Sequence, residues 1–437
     1  MKKTIYVTIW LLVTQTMLLR AQKAEPRMIT TDIDHFWQAY DSVRTTNDSL
    51  RQLAFIQTLY IDRGTPGLEA FMALKRYTAP LWVHQLRSYP KFWNSIRPNT
   101  EKLKTLSAAF EPGIDKLKKL YPALKPAKIY GCIGALASSG TAQEGKVLIG
   151  AEMVTGGPET DLSEFPENMR ARLSAYYGTL PFNSIVLLNI HEYAHTQQSL
   201  PEDDLLSQCL YEGACDFVVK LVTGKEVPLP YMEYGPANEA ALKEKFKAEM
   251  YGTSYRNWLY NSGGKGKVGD LGYYMGYTIC QAYYNKAANK KQALKTILEL
   301  PYGDSVAVGR FLAQSGYYGG AVDKAALVKA YDDRRPYVVQ VSPFTNGDVM
   351  VDASIKEIRV EFSAEMNPLG ISIDYGIGGK DSYPVVGKGV FAADRKSMSF
   401  KVELQPGRMY GFLLTDGSFR STDDYPLKPF MVTFRTK

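Results

Sequence analysis

Histidine and cysteine are scarce in this chain: its 437 residues include four of each. The four cysteines are Cys132, Cys209, Cys215 and Cys280. Cys209 and Cys215 share a helical pattern, in which six residues rise about 9 Å, too far for a disulfide bridge. An exported chain permits disulfides, but one of this length can build its core without them, so buried free thiols are the expectation. There is no low-complexity tract and no repeat at the roughly 20- to 50-residue periods of solenoids and propellers, so a repeat array is excluded. Beyond the first twenty or so residues no apolar run approaches the roughly 20 residues that a membrane span needs. A clustered basic stripe is also missing. The net charge is +7, but the basic residues are scattered among acids, which argues against a nucleic-acid partner.

What is present begins with the N-terminus. Lys2 and Lys3 precede "TIYVTIWLLVTQTMLL", and the chain then turns polar at "RAQKAEP". This order of basic, apolar and small residues predicts a secretory signal peptide over residues 1–21, cleaved after Ala21. Removing it leaves 49 basic against 45 acidic residues, a net of +4, with no later membrane span. The expected location is exported: periplasmic, cell-surface or secreted. A length of 437 residues predicts two or three domains.

Residues 31 to about 125 carry apolar positions at helical spacing, as in "DIDHFWQAYDSV" and in "DSLRQLAFIQTLYIDRG", which Asp48 caps. His35 and His84 lie among their aromatics and read as core or surface residues. "KIYGCIGAL" (128–136) and "KVLIGAEMV" (146–154), separated by the turn-rich "ASSGTAQEG", predict a pair of strands. Helical patterns return in "NSIVLLNIHEYAHTQQ", led in by Pro181 and Asn183, and in "DDLLSQCLYEGACDFVVKLVTG", "LGYYMGYTICQAYYNKAAN" and "KKQALKTILEL". From Pro336 the character changes: "YVVQV", "KEIRVEF", "SMSFKVEL" and "FMVTFRT" alternate with turns, predicting an all-β sandwich over 336–437. The fold class expected is α+β, with a mostly helical domain over 22–335.

Two of the four histidines stand four apart in "HEYAH". On a helix, His191 and His195 then project about 40° apart, one turn from each other, and can hold one zinc ion. Glu192 lies about 100° round from His191, beside such an ion rather than on it, where it can take a proton from water. Zinc in a catalytic site needs a third protein ligand. The His-Glu-x-x-His-x-x-Gly-x-x-His continuation is absent, since Gln198 and Pro201 occupy its Gly and His positions. No later histidine exists, so the third ligand must be of another kind. Glu212 in "YEGACD" is the candidate, with Asp216 on the same helix face to orient a ligand histidine. Gly213 would allow close backbone approach to the motif helix. Glu202, Asp203 and Asp204 compete by proximity, but they follow Pro201 and resemble the start of the next helix. An acidic pair four apart can also be a solvated helix face.

"IHEYAH" followed by Glu-x-x-x-Asp on a second helix resembles the gluzincin-type, thermolysin-like superfamily of metallopeptidases. With "LGYYMGYTICQAYY", it looks more closely like a bacterial envelope family of predicted zinc-dependent proteases. The resemblance spans roughly residues 30 to 330. It implies a zincin-like domain holding Zn2+ through His191, His195 and Glu212, with Glu192 as general base and a peptide or protein as substrate. It also implies a small sheet above the motif helix, whose edge strand, "KVLIGAEMV", aligns the peptide. A donor to the tetrahedral oxyanion is needed as well, and Tyr274 and Tyr277 are the candidates; simple helix packing explains them equally. "VSPFTNGDVMVDASIKEIRVEFSAEMNP" resembles a bacterial Ig-like domain. The competing reading is an envelope binding or scaffolding protein with a structural or relic zinc site. Glu192 speaks against a relic, because metal binding alone does not require it.

Overall fold

The computed structural model describes residues 27–437, apart from 180, 181, 183, 203, 262–267 and 370. The expected signal peptide, the lead-in at Pro181 and Asn183, and Asp203 lie outside the described residues. The architecture is a mixture of helices and small sheets. Its buried apolar residues form two clusters, one running from Met28 to Leu312 and one from Val341 to Phe434.

The helix Thr31–Val43 buries Ile33, Phe36, Trp37, Tyr40 and Val43, the three-and-four spacing that puts side chains on one stripe. Asp48 caps the next helix, Ser49–Ile56, by accepting from the backbone N–H groups of Leu50 and Arg51. That segment continues as a π-helical turn over Gln57–Ile61, which aims Tyr60 inward against Phe36 and Trp82. Trp37, Trp82 and Trp93 are almost fully buried in the same aromatic core.

A four-stranded sheet of order β1-β2-β4-β3 follows, made of β1 (Met28–Ile29), β2 (Lys128–Cys132), β3 (Gly140–Gln143) and β4 (Lys146–Gly150). The two expected strands do pair with each other. They run parallel, and the turn-rich segment between them also supplies β3. β3 pairs antiparallel to β4 through Glu144 and Gly145, where Gly145 adopts φ +66°. The edge strand beside the helices is therefore β3, not "KVLIGAEMV", whose last four residues form a short helix, Ala151–Val154. The parallel strands are buried on both faces, which is why they read as continuous apolar runs.

The C-terminal region holds two sheets. β5 (Val338–Ser342), β6 (Glu357–Phe362), β8 (Val390–Phe391) and β9 (Ser397–Lys401) form one, in the order β5-β6-β9-β8. β7 (Ile373–Tyr375), β10 (Met409–Leu414) and β11 (Phe430–Arg435) form the other. Alternating side chains from both meet in one core, as where Phe400 and Phe412 bring their ring centres within 5.4 Å. Arg335 ties the helical part to this region by donating to the carbonyls of Pro426 (3.1 Å) and Leu427 (2.8 Å).

Candidate metal centre

Three helices build the site: the motif helix Ser184–His195, the return helix Leu205–Thr223 and the tyrosine helix Leu271–Lys286. Asp204 caps the return helix, accepting from the Ser207 N–H at 2.8 Å, and Gly224 ends it in the left-handed region. Gly213 does allow a close backbone approach, but to the tyrosine helix rather than to the motif helix. A Cβ on Gly213 would lie 2.1 Å from the Tyr277 nitrogen, and one on Gly276 would lie 1.7 Å from the Cys209 carbonyl oxygen.

The structure brings His191, His195, Glu212 and Asp216 together. All are buried, at 8, 9, 7 and 1% exposure. The two Nε2 atoms stand 3.0 Å apart, and Glu212 Oε2 lies 3.3 Å from that of His191 and 3.1 Å from that of His195. Each Nδ1 faces an acceptor: Asp216 Oδ1 at 2.8 Å from His191, and Gln198 Oε1 at 2.7 Å from His195. Both rings therefore keep a proton on Nδ1, and both Nε2 lone pairs turn toward the Glu212 carboxylate. Three acceptors facing one point require a positive charge between them, either a proton or a metal ion. Ligands about 2.0–2.1 Å from one zinc ion in tetrahedral array are themselves separated by roughly 3.3 Å, close to the spacing found here. The donor set fits the ion.

Electrostatics point the same way. Burial by itself pushes the His191 imidazole down, but the carboxylates of Asp216 and Glu212 outweigh it and hold the group well above its ordinary value. Burial likewise pushes Glu212 up, and the two imidazoles more than reverse this, leaving it well below the usual carboxylate range. The pocket is built to keep a carboxylate ionised against a cation.

A second donor set overlaps the first. One donor atom each from His191, His195 and Cys215 can be chosen with all three within 4.8 Å of one another, a group that could hold a metal ion. The thiol, however, lies against His195 Nδ1 (3.3 Å) and Gln198 Oε1 (3.2 Å), away from the Nε2 atoms. Burial, with Glu212 and Asp216 nearby, pushes it well above its ordinary value. A thiolate is disfavoured there, so Glu212 is the better third donor.

Glu192 stands apart from the cluster and is partly exposed. A Cβ on Gly140 of β3 would lie 3.9 Å from its Oε1, so its carboxylate occupies the gap between edge strand and motif helix. Tyr176 of the helix Glu167–Thr179 shares this gap: burial pushes its phenol up, a hydrogen bond with Ser139 pulls it down, and the Glu192 charge adds to the rise. Tyr274 and Tyr277 do not join the histidines. Their hydroxyls engage Glu239 and Gln281, and they line a separate cavity.

Four tyrosines and a glutamine that sequence reading did not select are at the site. Tyr211 stacks on His195 with centroids 4.3 Å apart, and Tyr273 lies roughly parallel to His191 at 6.1 Å. Tyr231 donates to Asp216 Oδ2 at 2.9 Å, and Tyr260 donates to Glu212 Oε1 at 2.8 Å. Gln198 completes the set by donating to the Tyr211 carbonyl, so its oxygen must face His195. "LGYYMGY" pointed to the right helix, but Tyr273, not its neighbour, is on the side of the histidines.

No family model matches this chain, and no curated protein matches it. Among solved structures it is similar to CopC from Methylosinus trichosporium OB3b, at 20% identity over 24% of this chain and 94% of that one, with a TM-score of 0.18. The S-layer protein SbsC aligns at 16% identity over 61% of this chain and 36% of that one, again with a TM-score of 0.18. Its N-terminal part aligns at 16% identity over 61% of this chain and 63% of that one, with the same TM-score. Likeness at this level carries no argument about the site.

Proposed function

We propose that the chain is an exported zinc-dependent peptidase with His191, His195 and Glu212 as ligands and Glu192 as general base. The observation that carries this reading is the convergence of His191 Nε2, His195 Nε2 and Glu212 Oε2 at 3.0–3.3 Å, with Glu192 one residue along and outside the cluster. Zinc, when bound, would supply a Lewis acid that polarises the scissile carbonyl and acidifies water. The rest of the chemistry belongs to the protein. Asp216 and Gln198 hold the two imidazoles in the tautomer that leaves Nε2 free. Glu192 takes a proton from the attacking water and passes it to the amine that leaves as the C–N bond breaks. Tyr260, 62% exposed beside Glu212, is the tyrosine best placed to donate to the developing oxyanion.

The edge of β3 supports a peptide as the substrate. Among the described residues no strand pairs with its outer side, and an extended chain added there would run past Glu192. The C-terminal pair of sheets would be an Ig-like module that spaces or presents the helical part.

The deciding experiment is metal analysis together with peptide-library cleavage by the wild type and Glu192→Gln. The variant is expected to keep stoichiometric zinc and to lose about 10²- to 10⁴-fold in turnover. Undiminished cleavage by Glu192→Gln would remove the mechanism.

A further inference from the structure

The tyrosine helix has a second face, away from the histidines, that also lines a cleft. On the side that carries Tyr274 and Tyr277 the structure forms a cleft of about 410 Å³, open to solvent, whose polar wall includes Glu226, Glu239, Tyr274, Tyr277, Gln281 and Tyr317. Glu239, on the helix Pro230–Glu249, receives the Tyr274 hydroxyl at 3.0 Å on one carboxylate oxygen and the Tyr317 hydroxyl at 2.8 Å on the other. The Tyr274 ring is fixed in turn, because it packs on bare backbone: a Cβ on Gly235 would lie 2.4 Å from it. The wall is a pre-set array of phenols around a carboxylate rather than a loose surface.

Its charge is not balanced from within. Glu226 pairs with Lys220 at 3.1 Å, but among the described residues no lysine or arginine pairs with Glu239. Lys243, four residues further along the same helix, lies over the Tyr317 ring at 4.5 Å from its centre. A carboxylate offers about four lone-pair positions, and the two phenols use two of them. The remaining positions and the aromatic walls suit an organic cation, since ammonium and guanidinium groups are drawn both to carboxylates and to tyrosine faces.

We infer that this cleft is a binding site for a guanidinium or alkylammonium group, held by Glu239 between Tyr274 and Tyr317. The cation could be a free small amine or the basic side chain of a peptide. The cleft has room for either. The inference does not depend on the peptidase reading, because this site is read by direct binding.

Calorimetric titration of the full chain with agmatine and with a blocked Ala-Arg-Ala tripeptide tests it, with glutarate as the anionic control. Saturable binding is expected for at least one cation and none for glutarate. Glu239→Gln should weaken it by about tenfold or more. Gln281→Arg, which places a guanidinium on the cleft wall, should abolish it without touching Glu239. Tighter binding of the tripeptide would identify a peptide side chain as the occupant, and tighter agmatine a free amine. The inference is overturned if neither cation binds, if glutarate binds equally, or if both variants bind like the wild type.

Discussion

His191 Nδ1 and Asp216 Oδ1 face each other at 2.8 Å, and the Tyr231 hydroxyl secures the other Asp216 oxygen at 2.9 Å. The bond holds a proton on Nδ1, on the far side of the ring from Glu212, and under the proposed reading this leaves Nε2 to donate to the metal. Asp216→Ala should therefore weaken zinc binding by about 10- to 100-fold while leaving the ligands in place. Tyr231→Phe, which loosens only the support behind Asp216, should cost less. Chelator-competition titrations measure both, and an unchanged zinc affinity in Asp216→Ala would dismiss the orienting role.

Glu212 and Asp204 sit on the same helix and separate two explanations of an acidic residue. Glu212→Ala should reduce zinc affinity sharply, since it removes one of three converging donors. Asp204→Ala should leave zinc affinity nearly unchanged and instead cost about 1 kcal/mol of stability, because its carboxylate caps the helix at the Ser207 N–H. Zinc titration with urea unfolding of each variant reads the two effects independently. Full-affinity binding by Glu212→Ala would take that residue out of the site.

Glu152 gives a pH dependence that is unrelated to any metal. It is fully buried and accepts the N–H groups of Gly134 (2.8 Å) and Leu136 (3.1 Å). Burial pushes its carboxyl up to about 7, against the pull of those bonds. The folded value is above the unfolded one, so the native state holds the extra proton between about 4.5 and 7. The contribution to stability is complete below that window and is lost as pH rises through it, on the order of 3 kcal/mol. Urea midpoints between pH 5 and pH 8 should fall more in the wild type than in Glu152→Gln. Parallel pH profiles for the two proteins would refute the assignment.

Spacing explains which parts of this arrangement can be read from sequence. His191, Glu192 and His195 are within five residues on one helix, so their relative directions follow from 3.6 residues per turn. Glu212 and Asp216 obey the same rule on the next helix, and their proximity to the histidines required only an antiparallel return. Tyr231, Tyr260 and Tyr273 lie 15, 48 and 82 residues from the groups they meet, where only tertiary packing decides which ring arrives. The choice between Tyr273 and Tyr274 turns on about 100° of helix azimuth, which no local pattern fixed. β3 was hidden for a different reason: Gly140, Thr141, Ala142 and Gln143 include one β-branched residue, and the strand is held by β4 rather than by its own propensity. The continuous apolar runs of β2 and β4 reflect burial on both faces, but their parallel direction depends on the connection between them and not on the strands themselves.

The contact between Gly213 and Gly276 has a mechanical meaning for the residues around it. Two main chains touch there with no side chain between them, so neither helix can turn about its axis without driving carbonyl into amide. Glu212 is the residue next to that seam. Its carboxylate is therefore carried by backbone that the neighbouring helix holds in place. Amide protons of the two helices near the seam should be among the last to exchange with solvent, and the cluster should loosen only when the helices themselves part.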